Sequence, residues 1–299
     1  MPTSRHLSII VLSPVWSGIS ESLPNTISDP KLVQETYDKM VSDYDNINGE
    51  AFYANQYEVY EKHMARFLNS RYRLSLDLGC GTGLQSLPLA SKSDLCVGVD
   101  LSPGLLSLAN KKRAGLKNLE FVRCDIAHMP FREEVFDCVV SYGEVISHLR
   151  QYGEAFGEVS RISAPGALFL VTALNKWNLS LIYAPRELLG AMDSKVGQER
   201  SWSIDIPPYM ERVSLRLKTF SRSEISDILT RNGFRAYSRT GIHILSLIIP
   251  LRLQYDSSGF WWHCFRFLGR LDLLINDRPP FWWLGYTVVI STRKKVEVI

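Results

Sequence analysis

Hydrophobic and polar positions alternate along the chain with two distinct periods. From Pro30, apolar residues recur three and four positions apart through LVQETYDKMVSDYD and then ANQYEVYEKHMARFLNS, the signature of amphipathic helices. Beyond Arg73 short apolar runs take over: LSLDLG (74–79), LCVGVDLS (95–102), LEFVRCD (119–125), FDCVVSYG (136–143) and ALFLVTAL (167–174). Runs without polar alternation predict strands buried on both faces, as in a parallel sheet sandwiched between helices. Helical stretches at 83–92, 103–114 and 150–163 separate them, the last closed by a turn at Pro165-Gly166. A further helix is expected over Ser221–Asn232, with Ser221 or Ser223 as N-cap and Gly233 as the stop, and strands near 235–241 and 285–293 would complete the sheet.

The pattern therefore predicts an α/β protein built on a doubly wound, mostly parallel sheet of seven strands. It divides into a flexible leader at 1–29, an N-terminal helical cap at 30–72 and a main domain at 73–299. Two stretches break the strand–helix rhythm, at about 175–220 and 242–284. Connections in compact domains run to about 2–6 residues, so both read as inserted functional elements.

Composition narrows the class. With 45% hydrophobic residues, 22% charged residues and a net charge of +3 over 299 residues, the chain has the balance of a soluble globular protein. The longest apolar run, Ile242–Leu251, contains His243, Ser246 and Pro250 and is half the length a membrane span needs. RHLSIIVLSPVW near the start lacks a cleavage pattern and is interrupted by Pro14 and Trp16, so it reads as a leader or cap strand. Five widely spaced cysteines without a Cys-x-x-Cys pair fit reduced thiols in a cytoplasmic protein.

LDLGCGTG (76–83) carries the chemistry, because it follows a buried strand and opens a helix. Gly79, Gly81 and Gly83 would let a ligand approach the main chain. A dinucleotide fingerprint requires glycine at the sixth position, where Leu84 stands, so a pyrophosphate cofactor is disfavoured. Asp100 ends the second strand about twenty residues on, placed to accept both hydroxyls of a ribose. Asp125 ends the third strand and could accept from an exocyclic amine, while Asp77 could attract a cation. One adenosine and one positive group without pyrophosphate describe S-adenosylmethionine.

LDLGCGTG, VGVDLS, CDIAHMPF and FDCVVSYG together resemble, in order and spacing, the motifs of class I S-adenosylmethionine-dependent methyltransferases, above all the small-molecule, ubiquinone/menaquinone-biosynthesis-like group. The resemblance is good over about residues 30–175 and holds only in outline beyond. It implies that Asp77 and Gly79 bind the methionine end of the cofactor, with Gly81 and Gly83 shaping the loop beneath. It implies that Asp100 holds the ribose, Leu101 packs on adenine, and Asp125 and Ile126 meet its edge. By the same resemblance Ser141 and Tyr142 line the channel to the sulfonium, and Tyr37 and Tyr44 sit on an N-terminal helix that closes over the cofactor; plain core packing explains that pair equally well.

For the acceptor, Glu144 and His148 are candidate bases, four apart in YGEVISHL and on one face if that segment is helical. His243 is a weaker candidate. Cys80 has no adjacent activating base and reads as structural, and no metal is called for. An exocyclic-amine methyltransferase would carry an Asn/Asp-Pro-Pro-aromatic tetrad where this chain has SYGE, and DIPPY at 205–209 is out of place. Seven Lys/Arg against three Asp/Glu over 210–240 describe a solvated face as well as a nucleic-acid track, so a nucleic-acid partner is disfavoured. Phe260, Trp261, Trp262, Phe265, Phe267, Phe281, Trp282 and Trp283 crowd into 24 residues with arginines between them. They could wall a pocket, form a homodimer interface, touch a membrane surface, or make the insertion's own core. The expected acceptor is a small apolar or aromatic molecule. RNA or protein methylation and a non-catalytic cofactor-binding module are the alternatives.

Overall fold

A computed structural model describes residues 29–42, 44–45, 51–113, 115–183, 199–205, 212–249, 251–254 and 258–296. The leader and the IPPY of the DIPPY segment lie outside these residues. Seven strands form one sheet: β1 (Tyr72–Leu78), β2 (Ser93–Asp100), β3 (Leu119–Arg123), β4 (Phe136–Ser141), β5 (Ser163–Leu174), β8 (Phe234–Ile242) and β9 (Thr287–Lys294). Their order is β3-β2-β1-β4-β5-β9-β8, and only β9 runs antiparallel to its neighbours. The strand order reverses between β1 and β4, which opens a crevice at their carboxyl ends. A separate antiparallel hairpin, β6 (Glu199–Asp205) with β7 (Arg212–Lys218), fills the first insertion.

The uninterrupted apolar runs are buried on both faces, as their composition requires. Val139 of β4 faces a core shared with Phe156 and Val159 of α5 (Tyr152–Ile162) and Ile225 and Leu229 of α6 (Arg222–Arg231). Its neighbours Cys138 and Val140 face the opposite core, with Val59, Tyr60 and Met64 of α2 (Ala51–Phe67) and Leu89 of α3 (Ser86–Ser91). The second N-terminal helix is thus part of the helical layer on the sheet. Only α1 (Pro30–Lys39) and the turn behind it lie over the strand ends, where they pack on Leu174, Leu215 and Leu217. Asp29 caps α1 and Ser102 caps α4 (Pro103–Lys112), each followed by proline at the first helical position. Ser221 and Glu224 form a reciprocal capping box on α6.

Three expectations are corrected locally. The N-terminal pattern through Tyr44 predicts one helix, but α1 stops at Lys39, where the chain turns. Pro165 and Gly166 do not form a turn after α5, because β5 starts at Ser163 and runs through both. The segment holding Glu144 and His148 is a single 3-10 turn, Val145–His148, entered through Glu144 in a left-handed conformation (φ +56°). Among the described residues no helix is long and apolar enough to cross a membrane.

α7 (Gly259–Asp272) builds the second insertion and is anchored by its buried last carboxylate. Asp272 accepts hydrogen bonds from the amides of Ile244 and Leu245 and from the Ser246 hydroxyl, at 3.0, 2.6 and 2.9 Å. Gly241, at the end of β8, lies against the Trp282 backbone, where an added Cβ would fall 2.8 Å from its Cα and carbonyl oxygen. Neither backbone can yield cheaply, so Gly241→Ala is expected to cost about 1–3 kcal/mol, read as a lower urea midpoint with an unchanged slope.

Candidate functional site

The loops after β1, β2, β3 and β4 converge on one cavity of about 190 Å3. Its floor is the glycine loop. Gly79 adopts φ +67°, and a Cβ there would fall 2.4 Å from a Val145 methyl, so the loop after β1 touches the turn after β4 only because position 79 has no side chain.

Asp100 lines the cavity at the end of β2. Its carboxylate accepts from the Gly81 amide at 2.9 Å and the Ser102 amide at 2.8 Å. Burial holds this carboxyl above the ordinary aspartate range, against the pull of those amides. Leu101 and Ile126 supply apolar wall on either side. Asp125 also lines the cavity, and its Oδ1 accepts from the Ala127 amide at 2.9 Å.

After β4, Tyr142, Glu144 and His148 all face the cavity. The Glu144 carboxylate is held by Gln56 Nε2 at 2.9 Å and the Tyr60 hydroxyl at 2.9 Å, and its amide donates to Thr172 Oγ1 at 2.9 Å. Burial raises its pKa, partly offset by the hydrogen bonds from Tyr60, Thr287 and Gln56. The His148 Nε2 lies 3.3 Å from the Tyr37 hydroxyl, and its Nδ1 is buried with no hydrogen-bond partner among the described residues. Burial pulls the His148 pKa down to about 4, so the ring is neutral at pH 7.

Tyr37 and Tyr44 form the roof, edge to face at 6.1 Å, although only Tyr37 is on the helix. Two carboxylates tie this roof down. Asp38 accepts from the Ser102 hydroxyl and from the Gly104 amide at the start of α4. Asp45 accepts from Thr82 Oγ1 at 2.8 Å and pairs with Lys112 at 2.6 Å, fastening the turn beside Tyr44 to the glycine loop.

Three of the expected residues stand back from the cavity. Asp77 is buried beneath the loop, where it accepts from the Ser86 hydroxyl at 2.5 Å, and burial pushes its pKa up to about 7. Gly83 packs on Phe121. Ser141 is buried at the end of β4, with no partner for its hydroxyl among the described residues. Cys80 does line the cavity, but burial raises its thiol far above the reactive range, in keeping with a structural role. His243 lies behind the cavity, stacked at 4.0 Å on Phe52.

The sequence reading missed the wall that α2 contributes. Tyr53, Gln56, Tyr57 and Tyr60 are spaced three and four apart and face the cavity as one stripe. That spacing was legible, but polar tips on an amphipathic helix look the same whether they meet water or a ligand. Among the described residues, the C-terminal aromatic cluster contributes no lining residue and the first insertion contributes Leu217 alone. Phe265 instead supports Phe52 from behind, within the cluster that holds Ala51 and Ile249.

The methyltransferase domain family matches residues 76–171, the span from β1 through β5 that holds Asp100, Asp125, Glu144 and His148. A demethylmenaquinone methyltransferase of Staphylococcus epidermidis is 26% identical over 183 residues, covering 57% of this chain and 75% of that protein. The chain is a class I S-adenosylmethionine-dependent methyltransferase. An uncharacterised protein of Methanocaldococcus jannaschii is 25% identical to this methyltransferase over 216 residues, 71% of this chain and 80% of that one. An S-adenosylmethionine-dependent methyltransferase of Methanosarcina mazei shares the fold with a TM-score of 0.54 at 20% identity, over 79% of this chain and 98% of its own.

The methyltransferase uses S-adenosylmethionine, and its cavity suits that molecule. Asp100 and Asp125 stand at neighbouring strand ends, as an adenosine requires, and the ring faces of Tyr37, Tyr44 and Tyr60 suit a sulfonium.

Two outcomes follow. Asp100→Ala removes the acceptor for the Gly81 amide and for a ribose, so S-adenosylhomocysteine affinity by calorimetry should fall about tenfold or more. Asp77 gives a pH signature instead. Its folded pKa lies above the unfolded value, so its contribution to stability is complete at low pH and is lost as pH rises through about 7. Asp77→Asn should therefore gain stability relative to wild type between about pH 5 and pH 8, measured by urea denaturation.

Proposed function

We propose that the methyltransferase acts on a small apolar or aromatic acceptor, with Glu144 as the base that takes the acceptor's proton. The observation that carries this reading is a half-buried carboxylate held by Gln56 and Tyr60 inside a cavity rich in tyrosine rings. Such walls suit a planar apolar molecule, and they offer little to a phosphate backbone or an extended peptide. The demethylmenaquinone methyltransferase among the relatives supports an acceptor of quinol type.

S-adenosylmethionine supplies a methyl group on a positively charged sulfur, which departs as a neutral thioether. The chain's part is to align, exclude water and move one proton. Asp100 and Asp125 hold the ribose and adenine, with Leu101 and Ile126 against the base. Gly79 and Gly81 bring the main chain close to the methionine end, while Asp77 and Gly83 act from below by holding the loop in shape. Ser141 closes the strand end under Tyr142. The rings of Tyr37 and Tyr44 close over the site as part of the cap that α1 and the turn behind it form.

Glu144 is suited to accept a proton from a hydroxyl or acidic carbon, since burial raises its basicity. Neutral His148 orients Tyr37 through the bond between their side chains, which makes it a positioning residue. The five free thiols favour a reducing, cytoplasmic setting.

Transfer of labelled methyl to demethylmenaquinol analogues and other phenols tests this reading. Glu144→Gln should lower kcat by about 10²–10⁴-fold while leaving S-adenosylhomocysteine binding close to wild type. Wild-type activity should fall as pH drops through a carboxyl displaced above the ordinary glutamate range, and the variant should lose that limb. Equal activity of Glu144→Gln at neutral pH would overturn the assignment.

A further inference from the structure

α7 has two unlike faces. Toward the protein, Phe265 packs with Ala51, Phe52 and Ile249, its carbonyl accepts from Asn55 at 3.1 Å, and Arg266 pairs with Glu58 at 3.0 Å. Gly269 permits this approach, since a Cβ there would collide with the Asn55 amide. Away from the protein, Phe260 and Phe267 stand seven residues apart on α7, two turns of helix, with Leu274 in the turn just beyond it, and they are 71%, 60% and 64% exposed. Trp261 is exposed on one flank, with His263 and Arg270 on the other. The 3-10 turn Leu245–Ile248 packs beside α7 and exposes Ile248, and it in turn touches the turn Leu179–Tyr183, which exposes Ile182. Among the described residues nothing covers these side chains, and exposed apolar groups gathered on one surface mark a contact site.

Charge decides what covers it. The nearby carboxylates are engaged: Asp272 by the amides of Ile244 and Leu245, Asp277 by Arg66 at 3.1 Å, and Glu58 by Arg266 and Lys62. Arg270 and Arg278, both exposed, make no ion pair among the described residues. A twofold contact between two copies would set the same positively charged face against itself, with no unengaged carboxylate beside it among the described residues. An anionic lipid surface satisfies both halves of the pattern, taking the phenyl and leucyl groups into the acyl boundary and the guanidinium groups among the headgroups.

We infer that the exposed face of α7 and of the turn behind it, with Phe260, Phe267 and Leu274 as its apolar ridge and Arg270 and Arg278 at its edge, docks this methyltransferase on anionic membranes. The ridge lies on the far side of the helix whose Phe265 backs Phe52 in the cavity wall, so docking would set the cavity beside the bilayer surface. The inference goes beyond the proposed acceptor and does not depend on it.

Sedimentation of the full chain with vesicles tests it, using phosphatidylcholine alone and phosphatidylcholine with phosphatidylglycerol in equal parts. Wild type should bind the anionic vesicles and leave the neutral ones at least about tenfold less occupied. Phe267→Ser with Leu274→Ser, and separately Arg270→Glu with Arg278→Glu, should each weaken anionic-vesicle binding by about tenfold. All these positions are exposed and outside the cavity, so S-adenosylhomocysteine affinity should stay at the wild-type value and report an intact fold. Three results would overturn the inference: no binding by wild type, binding indifferent to both double variants, or a concentration-dependent dimer that Phe267→Ser with Leu274→Ser abolishes.

Discussion

The site depends on one close approach. β1 and β4 are neighbours at the point where the strand order reverses, and the loops that leave them must pass within van der Waals contact. Position 79 can hold only glycine there, because a Cβ would fall inside the Val145 side chain. The same contact fixes the start of the turn that follows β4, and Glu144 enters it with φ +56°, a conformation a non-glycine residue holds only when its surroundings determine it. The Thr172 hydroxyl on its amide and the Tyr60 and Gln56 side chains on its carboxylate supply that determination. The strain at Glu144 and the absence of a side chain at Gly79 are two sides of one packing problem.

The roof is held by packing and by electrostatics together. The turn behind α1 sets Met40 on Leu174, Leu215 and Leu217, and Asp38 at the start of α4 and Asp45 on Thr82 and Lys112 add polar anchors. Both anchors rest on the elements that carry the glycine loop and Asp100. The wall from α2 is different, because Tyr60 is wedged between Glu144 and the stacked ring of Tyr142, whose hydroxyl meets His63 at 2.7 Å.

Much of this was legible in the chain. Strands buried on both faces need unbroken apolar runs, so the parallel core appeared as five such runs, and the chemistry of LDLGCGTG with Asp100 and Asp125 pointed to one cofactor. The Pro165-Gly166 pair misled because turn chemistry at a strand's start is compatible with the strand itself. Tyr44 was placed one turn too far along a helix, since the apolar spacing continues after α1 has ended. The tyrosines of α2 and the exposed ridge of α7 share one cause of failure: periodicity tells that a residue lies on a stripe, and does not tell what the stripe faces.

The sequence by itself determined the layers, the cofactor and the end of the sheet at which it sits. Those depend on local geometry and on residues close in the chain, where a glycine loop or a strand-terminal carboxylate has the same meaning in any surroundings. Tertiary structure alone decided which side chains share the cavity. Glu144 lies more than eighty residues beyond Gln56 and Tyr60, and their contact is set by how α2 lies on the sheet. It also decided that the tryptophan- and phenylalanine-rich insertion divides its side chains, with Phe265 and Trp282 buried in the core and Phe260, Trp261, Phe267 and Phe281 exposed, because a stripe's partner is set by how the helix lies on the sheet.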